Sequence, residues 1–219
     1  MQDLTLYEGL AIYLILVLSI GLHEFAHAYA ADKIGDDLPR SQGRVTLNPI
    51  AHIDPIGTVL IPLLMIFGFF GGFIMIGWGK PVQVNPRNFR NPVRDDLIVT
   101  IAGPAANVVI ALTVAIVGGI LVLFLPDLHD LFLQAIFINM ILVVFNMIPI
   151  PPLDGSHFLK HAMKIPEEKF MQYSMYGGII LLVLINFPAF RQIMMFFWQI
   201  AVMPFLVIYQ FISSLFGGG

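Results

Sequence analysis

Long apolar stretches separated by short polar connectors dominate the sequence. Five of these stretches approach or exceed the roughly 20 mostly apolar residues that a transmembrane helix needs. The five stretches lie at about 8–32, 97–125, 131–151, 171–187 and 190–214. A sixth apolar stretch, at 56–78, is interrupted by Pro62 and by glycines between 68 and 72. The pattern predicts an all-α polytopic membrane protein with about five to six transmembrane helices.

The composition points the same way, because 58% of the residues are hydrophobic and only 11% are charged. Soluble domains carry about 25% charged residues, so much of this surface must face lipid. The chain has no cysteine, which excludes thiolate metal sites and a cysteine nucleophile. Its net charge of −3 comes without a long basic run, so no nucleic-acid partner is expected. We therefore expect a multi-pass integral membrane protein surrounded by lipid.

Lysine and arginine concentrate in three connectors, at 33–54, 79–96 and 152–170, whereas the turn at 126–130 contains neither. Because connectors rich in lysine and arginine stay in the cytosol, the three connectors are expected on the cytosolic side. The turn at 126–130 and the N-terminus then lie outside.

The first predicted span contains His23-Glu24-Phe25-Ala26-His27, an H-E-x-x-H motif. Residues four apart lie on one face of a helix, so both imidazoles can reach one metal ion. Glu24 lies beside them, where a carboxylate can take a proton from metal-bound water. The motif could instead be an ordinary polar helix face. Placing ionisable side chains inside a membrane costs free energy, so such residues usually have a function. This favours a metal site.

A catalytic zinc ion needs a third protein ligand and an open position for water. Four residues are candidates for this ligand: His52, Asp54, Asp154 and His157. Three prolines between 149 and 152 must end the preceding helix just before Asp154. The residues alone leave two interpretations open for Asp154. It is either a ligand beside a polar cavity or a solvated residue in a surface turn.

HEFAH at 23–27, followed much later by NMIPIPPLDG at 146–155, closely resembles the site-2 proteases, a family of intramembrane zinc metalloproteases. The family signatures HExxH and NxxPxxPLDG are both complete. Ala-Gly-Pro at 102–104, with Asn107, resembles the third span of the family. The segments at 51–58 and 81–90 resemble a compact prokaryotic branch without PDZ or CBS domains. The resemblance implies one zinc ion bound by His23, His27 and Asp154. It implies that Glu24 is the general base, and that Asn146 helps hold the substrate backbone or the site.

By the same resemblance, residues 1–219 are a single transmembrane protease domain, with a core at about 8–155 and accessory helices at about 171–214. The expected substrate is a transmembrane protein or peptide, and the expected location is a prokaryotic cell membrane. The active site is expected near the cytosolic face. The resemblance names neither a particular substrate nor an oligomeric state.

The metal site constrains how the stretch at 56–78 crosses the bilayer. The motif helix runs from outside to inside, and the helix before Asp154 must do the same to bring the ligands together. An even number of crossings must then separate them, and the spans at 97–125 and 131–151 already supply two. We therefore predict a re-entrant segment at about 56–84, with possible short strands, that enters and leaves on the cytosolic side. The alternative is a true span that breaks the charge rule.

Three other polar groups have weaker indications. Asn107, in the span at 97–125, is expected to donate a hydrogen bond near the site or to serve as a structural amide between helices. His52, with Asp54, is either a partner of the ligand imidazoles or a capping group at the interface. The pair His157 and His161 is expected to be solvated on a lysine-rich connector.

Two other function classes are compatible with histidines and carboxylates in a membrane. One is a metal-ion transporter, although the remaining predicted spans carry few polar groups. The other is an inactive protease-like binding protein, against which the complete ligand set argues. Zinc peptidase activity remains the interpretation that uses all the motif residues.

Overall fold

The computed structural model describes residues 6–67 and 77–217 of the chain, and within these ranges it is helical without strands. Eight α-helices follow in order: α1 Leu6–Ile34, α2 Leu38–Ser41, α3 Ile61–Ile66, α4 Pro92–Leu121, α5 His129–Asn146, α6 Gly155–Ala162, α7 Glu167–Ile185 and α8 Pro188–Gly217. Short 3-10 turns occur at Pro49–His52, Pro86–Asn88 and Pro126–Leu128, and a π-helical turn at Pro55–Leu60 leads into α3. The predicted all-α fold is confirmed.

Four helical segments in the described ranges are long and apolar enough to cross a membrane: Leu6–Ile34, Pro92–Leu121, Pro126–Asn146 and Pro188–Leu215. Each coincides with a predicted span. The fifth predicted span, at 171–187, forms α7, which is not among the four. Its first turn contains Glu167 and Glu168, and these charges shorten its apolar part. By length and composition the described part therefore has four spans, fewer than the five to six expected.

The main hydrophobic core joins α4, α5 and α8. Ala111 and Ala115 of α4 pack with Ile136 and Met140 of α5, and all four are fully or almost fully buried. Small residues on α4 let the neighbouring helices approach closely, as is usual inside membranes. This core fixes α4 and α5, the helices on either side of the candidate site.

The segment after Pro49 runs along α1 towards its N-terminal end. Pro49 packs against Gly21, and Ile66 at the end of α3 packs against Gly9. The two contact points on α1 are about 18 Å apart along the helix axis, at 1.5 Å per residue. The segment therefore starts near the C-terminal half of α1 and runs beside it to within a few residues of its N-terminus.

The same segment returns beside its own starting point. Trp78 N donates to the Gly57 carbonyl at 3.3 Å, and Lys80 N donates to the His52 carbonyl at 2.9 Å. A segment whose two ends are hydrogen bonded to each other cannot be a single crossing. The described residues thus have the re-entrant arrangement that crossing parity predicts. The expected reversal at 68–72 lies outside the described residues, as do the first four residues of the possible strand at 73–84. The described part of that stretch, 77–84, forms no strand.

Cysteine labelling tests this topology, because the chain has no native cysteine. Gln42→Cys and Arg87→Cys place exposed thiols on the connectors before and after the segment, and Asp127→Cys labels the turn before α5. We expect the first two thiols to react with a membrane-impermeant maleimide from one face and the third from the other. Labelling of positions 42 and 87 from opposite faces would contradict the re-entrant arrangement.

Candidate metal centre

The structure brings His23, His27 and Asp154 together although they come from distant parts of the chain. The Nε2 atoms of the two histidines are 3.0 Å apart. Asp154 Oδ2 lies 3.3 Å from His23 Nε2 and 3.4 Å from His27 Nε2. Ligand atoms held tetrahedrally about 2.05 Å from a zinc ion are about 3.3 Å from one another. The spacing of these three atoms therefore suits a zinc ion.

Hydrogen bonds at the far side of each imidazole set the direction of its free lone pair. His27 Nδ1 donates to the Val99 carbonyl at 2.7 Å, and His23 Nδ1 donates to Asn107 Oδ1 at 2.6 Å. With Nδ1 protonated, each neutral ring turns an unprotonated Nε2 towards the other. Asp154 Oδ2 is buried and has no hydrogen-bond partner among the described residues. Three electron-rich atoms therefore converge in the way that the ligands of one cation do.

The local sequence explains how Asp154 reaches α1. Helix α5 ends at Asn146, and the proline-rich segment that follows turns the chain back before α6 begins at Gly155. A Cβ atom at Gly155 would collide with the Met147 carbonyl, so this tight turn requires glycine. The turn places the carboxylate of Asp154 next to the histidines of α1.

Gly103 of α4 closes the other side of the metal centre. A Cβ atom at this position would lie 2.7 Å from Cε1 of His23 and even closer to Nε2 of His27. Any larger residue must displace a ligand ring that is already held by its Nδ1 hydrogen bond. The Ala-Gly-Pro sequence at 102–104 thus has a steric role that spacing alone did not reveal.

Replacing Gly103 with alanine is expected to weaken metal binding. The methyl group displaces the imidazoles, and we expect zinc affinity to fall at least about tenfold, within the range for lost ligand support. Competition with a fluorescent zinc chelator measures the change. Gly118→Ala is the matched control, because it makes the same change on α4 about 22 Å further along the helix axis, where the added methyl meets Phe132 of α5. Equal zinc affinity in both variants would contradict the steric role.

Glu24 lies beside the ligands and is held from two sides. Its Oε2 accepts a hydrogen bond from Val82 N at 3.1 Å and lies 3.9 Å from Arg44 Nη2. The side chain is 13% exposed, so it retains limited access from outside. Gly79 packs against it, because a Cβ atom there would lie 3.1 Å from Glu24 Cγ. The carboxylate is thus positioned next to the ligand pair without being one of the converging ligand atoms.

Arg44 is a buried cation that sequence reasoning did not single out. Its guanidinium donates to the carbonyls of Lys80 and Pro81 and is 3% exposed. These bonds anchor the returning limb, residues 77–84, whose Val82 N–H donates to Glu24. A lone arginine in a polar connector gives no sequence signal of this role.

The suggested support of a ligand imidazole by His52 is wrong. His52 donates through Nε2 to the Thr46 carbonyl at 2.9 Å, and its Nδ1 lies 3.4 Å from Arg44 Nη2. Burial, with a further contribution from the Arg44 cation, lowers the pKa of His52, which favours a neutral ring that accepts from arginine. His52 therefore supports Arg44, while the ligand imidazoles use Asn107 and the Val99 carbonyl.

Asp54 and Asn146 have local partners. Asp54 Oδ1 accepts from the backbone N–H groups of Ile56 and Gly57 and so caps the π-helical turn, as the capping alternative had it. Asn146 Nδ2 donates to the Leu142 carbonyl within its own helix at 3.0 Å. A role of Asn146 towards substrate remains a prediction.

Asn107 belongs to a buried polar network between three helices. Its Nδ2 donates to Asn139 Oδ1 at 2.9 Å, and Asn139 Nδ2 donates to Ser19 Oγ at 3.0 Å. Asn107 and Asn139 are fully buried. Asn107 therefore links helices, as the structural alternative proposed, and at the imidazole of His23 it accepts a hydrogen bond rather than donating one. Ser19 and Asn139 were not identified from sequence, because isolated polar residues in spans show no spacing signal.

A second buried cluster ties α6 to α4 behind Asp154. Asp96 Oδ2 lies 2.9 Å from His157 Nδ1, 3.4 Å from Lys160 Nζ and 2.5 Å from His161 Nε2. Asp96 and Lys160 are almost fully buried. The expectation that His157 and His161 are solvated is wrong, because the amphipathic helix α6 turns this face inward onto α4.

Removal of the Asp96 carboxylate is expected to loosen this attachment. Asp96→Ala removes the shared partner of His157 and His161 and leaves Lys160 with Glu167 of α7 alone. Loss of hydrogen bonds to a buried charged group costs about 1.5–3 kcal/mol. We expect a marked fall in the thermal unfolding midpoint in detergent. Asp37→Ala, which removes an exposed carboxylate, is the control. An unchanged midpoint in the Asp96 variant would contradict the tethering role.

Known proteins resemble this chain over most of its length. The model of Peptidase family M50 matches residues 11–126 and 124–185. The Bacillus subtilis protein named "Putative zinc metalloprotease YwhC" is 39% identical over 200 residues, which cover 85% of this chain and 87% of that protein. The Mycolicibacterium smegmatis protein named "Putative zinc metalloprotease Rip2" is 30% identical over 197 residues, or 85% of this chain and 71% of that protein. No solved structure matches.

Proposed function

Since the chain belongs to peptidase family M50, we propose that it is an intramembrane zinc endopeptidase with Glu24 as its general base. The observation that carries this proposal is the convergence of His23 Nε2, His27 Nε2 and Asp154 Oδ2 beside α1, a helix long and apolar enough to cross a membrane. Two imidazoles and one carboxylate make a common ligand set for catalytic zinc, which leaves a fourth position open.

The residues divide the chemistry between them. Zinc, when bound by His23, His27 and Asp154, makes water more acidic and polarises a carbonyl group. Glu24 takes the proton from the attacking water and delivers it to the leaving amine. Val82 N–H and Arg44 hold the carboxylate of Glu24 in place, so little reorganisation is needed when the proton moves.

The returning limb from 77 to 84 supports a peptide substrate. Residue 77 packs against Leu16 and Val84 packs against the cluster around Ala31. Between these contacts the limb passes Glu24, to which Val82 N donates, and residues 77–84 contain no helical turn. An extended limb beside Glu24 can align an unwound substrate by main-chain hydrogen bonds. A helical substrate must first unwind, because its carbonyls are otherwise bonded within the helix.

The proposed setting is a prokaryotic cell membrane, with residues 1–219 acting as one protease domain and residues 8–155 as its core. The ligand histidines lie in the second half of α1, on the side of the basic connectors 33–54 and 79–96. By the positive-inside rule this side is cytosolic. The site therefore opens towards the cytosol, and the substrate is a membrane-spanning protein or peptide.

Comparative analysis of protein termini in membranes tests this function. Cells that produce the intact protein are compared with cells that produce the Glu24→Gln form. We expect new termini inside apolar spans of other membrane proteins only with the intact form. Identical termini in both strains would contradict protease activity. If the Glu24→Gln protein still carried zinc into liposomes, the site would instead belong to a metal-ion transporter.

A further inference from the structure

A cleft of about 670 Å³ opens between the last turns of α1 and the first turns of α4. Its α1 wall includes Tyr29 and Lys33, and its α4 wall includes Arg94 and Ile98, with Arg90 just before the helix. The cleft is separate from the metal centre, because Ala31 and Val99 pack together as a buried cluster at its base. None of the proposed catalytic residues lines it.

The cleft lies at the height of the membrane surface. Lys33 is six residues beyond His27 on α1, which places it about 9 Å further along the helix axis. Arg94 is five residues before Val99 on α4, or about 7.5 Å. Both helices end or begin at this level, so the cleft mouth lies where lipid headgroups meet the hydrocarbon.

Three cations at the cleft have no acidic partner within ion-pair distance among the residues that the structure describes: Lys33, Arg90 and Arg94. Asp32 pairs with Arg40 instead. The carboxylate that lines the cleft, Asp95, is buried and accepts from Asn91 N at 2.9 Å. The cleft therefore has a positive rim.

The lower walls are apolar and open to lipid. Tyr29 is 45% exposed and Ile98 is 41% exposed, although both lie on spans. The ammonium of Lys33 lies 5.2 Å from the centre of the Tyr29 ring, which holds the cation above this apolar surface. A positive rim over an apolar wall matches a phosphate headgroup above an acyl chain.

We propose that this cleft binds one anionic phospholipid of the cytosolic leaflet, with the headgroup phosphate between Lys33, Arg90 and Arg94 and an acyl chain against Tyr29 and Ile98. Each cation near a membrane surface favours an anionic lipid about fivefold. The site does not depend on the proposed protease activity, and its test measures lipid binding alone.

Native mass spectrometry of the purified full chain tests the proposal with two probes, palmitoyl-oleoyl-phosphatidylglycerol and palmitoyl-oleoyl-phosphatidylcholine. The cleft variant carries Lys33→Gln, Arg90→Gln and Arg94→Gln. The matched control loses the same charge at three exposed cytosolic positions outside the cleft, Arg87→Gln, Lys164→Gln and Lys169→Gln. We expect the intact protein and the control to retain one phosphatidylglycerol with at least tenfold preference, and the cleft variant to lose that preference.

Equal retention of the two lipids by the intact protein would overturn the proposal, as would equal phosphatidylglycerol retention by the cleft and control variants. Displacement of phosphatidylglycerol by millimolar inorganic phosphate would also overturn it, because the site would then bind a free anion. If the triple variant does not fold, Lys33→Gln and Arg94→Gln are measured singly. Each should lower the preference about fivefold, and an unchanged preference in both would contradict the site.

Discussion

Glu24→Gln is expected to abolish proteolysis while the protein keeps its zinc. The amide cannot take a proton from water, and loss of a general base lowers rates by about 10²–10⁴-fold. The amide oxygen can still accept from Val82 N, which Glu24 Oε2 contacts at 3.1 Å. The change therefore removes a proton acceptor while it keeps this hydrogen bond and all three ligand side chains. Cleavage of a single-span substrate found by terminus analysis, reconstituted with the protein in liposomes, measures the loss.

The control for this variant is Glu168→Gln, which makes the same chemical change at an exposed position on α7. It should cleave at the rate of the intact protein. Undiminished turnover by Glu24→Gln, with zinc present at one ion per chain, would show that another group accepts the proton.

Asp154→Ala is expected to release the zinc ion. The two remaining imidazoles cannot complete a catalytic site, which requires three protein ligands. Loss of a supporting group costs about 10–100-fold in metal affinity, and loss of a ligand should cost at least about 100-fold. Zinc per chain after dialysis against a weak chelator, measured by inductively coupled plasma mass spectrometry, gives the result.

Asp127→Ala is the matched control, since Asp127 is an exposed carboxylate on the opposite turn. It should retain one zinc ion per chain. Removal of zinc from the intact protein by a strong chelator should abolish cleavage, and added zinc should restore it. Full zinc occupancy in Asp154→Ala would remove Asp154 from the ligand set.

Features with a fixed spacing or a hydrophobic pattern could be predicted from the sequence. The apolar stretches gave four of the long helices, because chain length and hydrophobicity determine what can cross a bilayer. The spacing of His23 and His27 placed both rings on one helix face. The re-entrant segment followed from crossing parity, which is a geometric constraint rather than a local preference.

Contacts that depend on how helices rotate against each other could not be predicted. Asp96 meets His157 and His161 only because α6 turns its polar face onto α4. Arg44 reaches the carbonyl of Lys80 across the returning limb. These pairings join residues about 36–65 positions apart, and single isolated residues of this kind carry no local pattern.

The described residues contain four helices long and apolar enough to cross a membrane, and α7 is not one of them. Helix α7 has an apolar second half, but Glu167 and Glu168 occupy its first turn and Lys160 binds Glu167 at 2.7 Å. That ion pair draws the start of the helix towards α6 and the polar surface. A hydrophobic stretch alone does not reveal such an attachment.

Zinc K-edge X-ray absorption of the purified protein tests the metal centre most directly. We expect a four-coordinate zinc ion with ligands at about 2.0–2.1 Å, no sulfur, and the multiple scattering of two imidazoles. Spectra that show no imidazole, or that are unchanged in His23→Ala, would contradict a zinc ion held by His23, His27 and Asp154.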